Sequence, residues 1–182
     1  GQYDENLNHL GWLKSSGEWL TKHQKKQWMG VLLSGPIDNG VWARIGDLES
    51  LDDSIVDRYQ HALQSMMLVD HTQKIRVRDT NRAACRSVLA EDTQGRLIFI
   101  QTQGAVTLAD LARWLVETEL NIVRAMNLDG GIESQVSLQT PEFQLSMYGH
   151  YGTLGSAIPG TQGIVRYPIP VIVEVRPLKL IK

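Results

Sequence analysis

Turn-forming residues interrupt this chain so often that its first third reads as short strands joined by tight turns. Gly11, Gly17, Gly30, Gly35-Pro36 and Asn39-Gly40 fall at short intervals. Between them lie only brief apolar stretches: Trp12-Leu13, Trp19-Leu20, and Met29 with Val31-Leu32-Leu33. Glycine tolerates positive φ and proline withdraws an amide, so such spacing favours turns over helix. Asn39-Gly40, where both residues accept positive φ, is the best-suited hairpin turn.

From Leu51 the pattern changes. Ile55, Tyr59 and Leu63 recur at four-residue steps after Asp52-Asp53, which predicts an amphipathic helix over about 51–64 with acidic residues at its positive end. Residues 66–69 and 75–77 read as strands, and Arg76 and Arg78 would share a face of the second. Gly95 separates two further strands, at 87–89 and 97–102, as a hairpin turn would. Thr107 can cap a second helix, over about 107–120, whose Leu108, Leu111, Ala112, Leu115 and Val116 form one apolar stripe. A strand at 122–128 then runs into Asp129-Gly130-Gly131, and a last strand is expected at 169–175. The order predicts an α+β domain: a mixed, largely antiparallel sheet packed with two main helices.

Composition narrows the function. The chain has 182 residues and 18 Lys+Arg against 20 Asp+Glu, which suits one domain spanning 1–182 that buries about 70% of its unfolded surface. No apolar run approaches the ~20 residues of a membrane helix. The single Cys85 supports neither a disulfide framework nor a cysteine-based zinc site, and a net charge of −2 argues against a nucleic-acid binder. The first residues lack the basic start and apolar stretch of a signal peptide, although a trimmed chain would look the same.

The most informative stretch is 125–134. A strand ends on Asp129, followed by two residues without Cβ, where a ligand can approach the backbone and freed amides can form an anion-binding concavity. Asp129 and Glu133 would flank that turn, and paired carboxylates are the equipment of glycoside hydrolysis. A plain hairpin turn accounts for the same residues. Arg82 and Arg86, four apart, share a face in helix or strand and carry the fork that matches phosphate oxygens. Solvated or salt-bridged arginines have the same spacing, and Arg166 is equally ambiguous. His150, between Tyr148 and Tyr151, suits a general acid, a metal ligand or an ordinary loop histidine. Asp52, Asp53 and Asp57 read as a helix start and its solvated face, and 22–26 beside Trp19 and Trp28 as a polar turn. No P-loop, dinucleotide fingerprint or Gly-x-Ser-x-Gly elbow is present.

Taken in order, these segments resemble the phosphodiester glycosidase family. Thr107-Leu108-Ala109-Asp110-Leu111-Ala112-Arg113-Trp114-Leu115 and then Leu128-Asp129-Gly130-Gly131-Ile132-Glu133-Ser134 match its helix, strand and "LDGG-S" pattern. Residues 64–69, 82–95 and 165–170 resemble its other segments, and 1–11 the tail of an earlier one. Ile132 and Glu133 stand where small residues are common.

The resemblance implies a hydrolase that cleaves a sugar-1-phosphodiester. Asp129 would be the catalytic carboxylate, with Glu133 the alternative, and Arg82 and Arg86 would bind phosphate. Gly130, Gly131, Ser134, His150 and Arg166 would line the substrate site, with Asp4 a further candidate. The other reading on the same fold is a non-catalytic carbohydrate- or cell-envelope-binding module. The implied partner is a carbohydrate or sugar phosphate, with no nucleic acid and no membrane span. No cofactor is implied; a divalent cation on Asp4, Asp129 or Glu133 is compatible, but no spacing demands one. The resemblance also implies a bacterial, exported or cell-envelope protein. It begins inside a motif, so the domain is expected to lack its N-terminal strands, with a second chain one source of them.

Overall fold

The computed structural model describes residues 2–150 and 169–177. Its strands are β1 (Leu13–Ser15), β2 (Glu18–Thr21), β3 (Gly30–Pro36), β4 (Ala43–Asp47), β5 (Tyr59–Ser65), β6 (Met67–Val69), β7 (Arg86–Asp92), β8 (Leu97–Gln101), β9 (Ile122–Gly130), β10 (Gln135–Gln139) and β11 (Gln144–Tyr148). Its α-helix is α1 (Leu108–Glu117). Five strands form one sheet in the order β2-β1-β5-β3-β4, four form a second in the order β6-β9-β7-β8, and β10-β11 is a separate hairpin. The described pairings are antiparallel. The chain is therefore α+β, with its described strands divided between two sheets and a separate hairpin.

The sheets face each other across Leu13, Leu32, Ile45, Leu63, Met67, Leu89 and Met126. α1 covers the outer side of the four-stranded sheet, packing Leu111, Ala112 and Leu115 on Val88, Ala90 and Ala125. Trp12, Val31, Leu33, Val56 and Tyr59 cover the outer side of the five-stranded sheet. Alternation explains the layering: β3 sends Leu32 inward and its neighbours Val31 and Leu33 outward. Because both faces are covered, such strands read as continuous apolar runs.

Two expected elements differ in extent. Asp52 caps a 3-10 helix, Asp53–Arg58, through its side chain and the Ser54 amide, and the chain then extends into β5 instead of continuing as helix to 64. β5 lies between β1 and β3, so Ala62 and Leu63 are both buried and the strand's alternation is lost. The second helix stops at Glu117, and Asn121 turns the chain at φ +53°.

Residues 169–177 form no strand. Val171 and Val173 instead pack against the core between the sheets, while Ile172 and Val175 are exposed. Residues 75–77 give one bridge, from Ile75 to Val69. The expected Asn39-Gly40 turn lies in the longer β3–β4 connection without positive φ. The tight two-residue turn is Ser16-Gly17, at φ +51° and +83°. None of the described helices is long and apolar enough to cross a membrane.

β5 runs into β6 through Met66 and so carries the chain from one sheet to the other. Gly30 pairs with Ser65 before this corner and Met126 with Met67 after it. The Asn127 amide donates to the Met66 carbonyl at 2.8 Å. The corner thereby sets Gln64 and Ser65 beside the end of β9, where Asp129 lies.

Candidate active site

The pairing of β9 with β7 slips by one residue near its end: Val88 faces Asn127, but Arg86 faces Gly130. Ser87 therefore opposes both Leu128 and Asp129. Such a bulge re-aims side chains at a strand end. The Asp129 carboxylate accepts from the Gly130 amide at 2.8 Å and from the Gln2 amide at 3.4 Å.

Arg86 comes to the same place from the neighbouring strand. Its Nε donates to the Val106 carbonyl at 3.1 Å and its Nη2 to the Arg82 carbonyl at 2.6 Å. These bonds fix the plane of the guanidinium and leave Nη1 without a partner among the described residues. Gly130 makes room for it: a Cβ there would sit 3.1 Å from Nη1 and 2.9 Å from the Cys85 carbonyl. Burial pushes the Arg86 pKa below its ordinary value, with the Asp129 charge pulling the other way. The two groups influence each other without forming a direct ion pair.

The N-terminal segment closes the other side. Tyr3 and His9 are bridged, and their rings lie 5.6 Å apart. Burial first, and the Asp129 charge second, push the Tyr3 phenol up to about 12, so it is a neutral hydroxyl at physiological pH. Burial holds His9 below the usual imidazole range, against its hydrogen bond to the Gln64 carbonyl and the Asp129 charge. His9 Nε2 lies 2.9 Å from that carbonyl, while Nδ1 is buried and unpartnered. Asn127, two residues before Asp129, has a buried Oδ1 that is likewise unpartnered. Gln2 Nε2 donates to the Asn127 carbonyl at 3.2 Å, and the Gln2 carbonyl accepts the Leu10 amide at 2.9 Å. Gln2 thus ties the segment to the end of β9.

The other candidates from the sequence are placed as follows. Arg82 is exposed and brings its carbonyl, not its guanidinium, to Arg86. Gly131 sits at φ +69° with its amide on the Cys85 carbonyl at 2.9 Å. The amides of Gly130 and Gly131 therefore serve the carboxylate and the turn. Glu133 is half-buried in the 3-10 turn Gly131–Glu133 and makes no hydrogen bond or ion pair among the described residues.

Ser134 is fully buried. Its hydroxyl meets that of Ser87 at 2.8 Å, and its carbonyl accepts from Gln101 and from the Gly149 amide. It braces the turn against β7, β8 and the end of β11. His150 is exposed, with Nε2 3.1 Å from the Gln103 carbonyl. Asp4 accepts from the amides of Asn6 and Asn8 and shapes its own loop. Arg166 lies outside the described residues. Among the described residues, no three His, Cys, Asp or Glu side chains gather to hold a metal ion.

Tyr3, His9 and Asn127 are absent from the sequence-derived site. A strand's period of two could have pointed to Asn127 from Asp129. No local signal links residues 2–10 to a strand more than a hundred residues later.

A search of curated proteins finds no match to this chain. The phosphodiester glycosidase family profile matches residues 3–159, a span that takes in Tyr3, His9, Arg86, Asn127 and Asp129. The chain belongs to the phosphodiester glycosidase family.

Proposed function

We propose that this protein hydrolyses a sugar-1-phosphodiester at the bond between the anomeric carbon and the bridging oxygen, with Asp129 as the catalytic carboxylate and Arg86 as the phosphate-binding group. The observation that carries this reading is the approach of the Arg86 guanidinium, with Nη1 unengaged, to the Asp129 carboxylate across Gly130. A phosphate monoester leaves readily, because its second pKa is about 6. It needs less protonation than an ordinary alcohol and gains more from a cation at the departing oxygens.

The bridging C–O bond breaks with its electron pair going to the phosphate. Positive charge develops at the anomeric carbon beside Asp129, and a water oxygen bonds to that carbon. The water's proton passes to the Asp129 carboxylate and then to the phosphate monoester. Arg82, exposed and with its carbonyl on the Arg86 guanidinium, would meet the outer part of the diester. The neutral Tyr3 hydroxyl would supply a further donor near Asp129.

Incubation with N-acetylglucosamine-1-phosphomethyl ester, following both free sugar and methyl phosphate, tests this assignment. Asp129→Asn is expected to lower turnover by at least about a hundredfold, the scale of losing one acid–base group. Arg86→Gln is expected to do the same, the scale of losing one charge-stabilising donor. Unchanged turnover in Asp129→Asn would remove the assignment. Saccharide binding with no turnover by the unaltered chain would assign the domain to non-catalytic recognition instead.

A further inference from the structure

A concavity of about 340 Å3 lies on the outer face of the five-stranded sheet and shares no residue with the Asp129 cluster. Trp12 and Trp19 floor it, and Lys22, Asp53, Ser54 and Asp57 stand at its rim. The β1–β2 hairpin explains its construction. Lys14 and Trp19 are cross-strand partners and so share a face, and Trp12, two residues before Lys14, joins them. The two indoles meet edge to face, 6.1 Å between centroids.

Lys14 is only 6% exposed and has no carboxylate partner among the described residues. Its Nζ lies 5.6 Å from the Trp19 ring centroid and donates to the Val56 carbonyl at 3.2 Å. Val56 belongs to the 3-10 helix Asp53–Arg58, so this bond holds the helix and its carboxylates beside the indoles. The side chains of Lys22, Asp53 and Asp57 engage no described residue.

The chemistry of the groove selects its ligand. Lys22 at the rim, and the buried Lys14 ammonium behind Trp19 and Val56, offset the charges of Asp53 and Asp57. An anion would meet the aspartates and a cation the lysines, so a neutral ligand fits best. That ligand needs an apolar face for the indoles, hydroxyl donors for the carboxylates and a hydroxyl acceptor for the Lys22 ammonium. A pyranose has all three. The volume sits at the small end of ligand sites, about 300–1,000 Å3, and suits one or two sugar rings. We infer that this groove is a second saccharide-binding site, for a neutral glycan, separate from Asp129 and independent of the hydrolysis proposed above.

Calorimetric titration of the full chain with cellohexaose, maltohexaose and chitohexaose tests it, with polygalacturonate and chitosan as charged counter-probes. At least one neutral glycan is expected to bind with a Kd of about a millimolar or tighter. Trp19→Ala is expected to weaken that binding at least about tenfold, the scale of losing an aromatic anchor. The Asp53→Ala/Asp57→Ala double variant changes only exposed side chains, so it keeps the test open if Trp19→Ala fails to fold; the same loss is expected there. Asp129→Asn is expected to leave binding unaltered. Four results would each overturn the inference: no neutral glycan bound, a charged probe preferred, binding that survives the aspartate double variant, or binding lost in Asp129→Asn.

Discussion

Gly130 has no side chain because Arg86 and the Cys85 carbonyl occupy the space one would need. A Cβ at 130 would meet the carbonyl oxygen at 2.9 Å and Nη1 at 3.1 Å, and the carbonyl cannot swing aside as a side chain can. Gly130→Ala should therefore displace the guanidinium or the turn. It is expected to cost about 1–3 kcal/mol of stability, the range of overpacking a tight site. Turnover should fall along with it, which steady-state kinetics and chemical denaturation would measure together. His9 carries a second prediction. Its folded pKa is depressed, chiefly by burial, so the unfolded chain binds the proton more readily. Its contribution is complete above about pH 6.5 and is lost as pH falls through the depressed folded value. In His9→Gln, the drop in melting temperature between roughly pH 7 and pH 5 should be smaller than in the unaltered chain. A matching drop in both would contradict a buried, neutral His9. At this scale the sequence offers Asp129 as a candidate through its type and the glycines after it, and Arg86 through its spacing from Arg82. It could not show Tyr3 or His9, because only the folded contact of Gln2 with Asn127 and Asp129 brings them there.

Elements were legible where their end signals are local. Thr107 accepts the Asp110 amide at 3.0 Å and donates to the Asp110 carboxylate at 2.7 Å, and the apolar residues that follow form the buried side of α1. Thr107→Ala should cost about 1 kcal/mol, the usual value of an N-cap side chain, read from a denaturant midpoint shift with an unchanged slope. Gly95 closes the β7–β8 hairpin at φ +75°, as its position suggests. The stretch after Asp52 was misleading for a physical reason. Four-residue recurrence and a strand buried on both faces give similar apolar patterns, and only the neighbours of β5 distinguish them. Gly17 marks a turn in the sequence, but Ser16 hides its tight two-residue form because serine is uncommon at positive φ, whereas Asn39-Gly40 has the favoured residues in a connection too long to need them.

At the scale of the whole molecule, the two larger antiparallel sheets of the described residues, with α1 and the 3-10 helix Asp53–Arg58 packed on them, are organised around the corner between β5 and β6. That corner delivers Gln64 and Ser65 to the end of β9, and the segment 2–10 closes over both through Gln2 and His9. The candidate site is thus assembled from parts remote in the chain, on a bulged strand paired with Arg86. Its membership in the phosphodiester glycosidase family rests on a match across 3–159, while the assignment of the chemistry rests on Asp129 and Arg86. The proposed mechanism turns on which bond breaks. Hydrolysis of the phosphodiester in oxygen-18 water, followed by mass analysis of the released phosphate monoester, tests it directly. Cleavage at the anomeric carbon predicts a phosphate monoester free of the label, since its oxygens all come from the substrate. Label in the phosphate would show attack at phosphorus and would contradict the account.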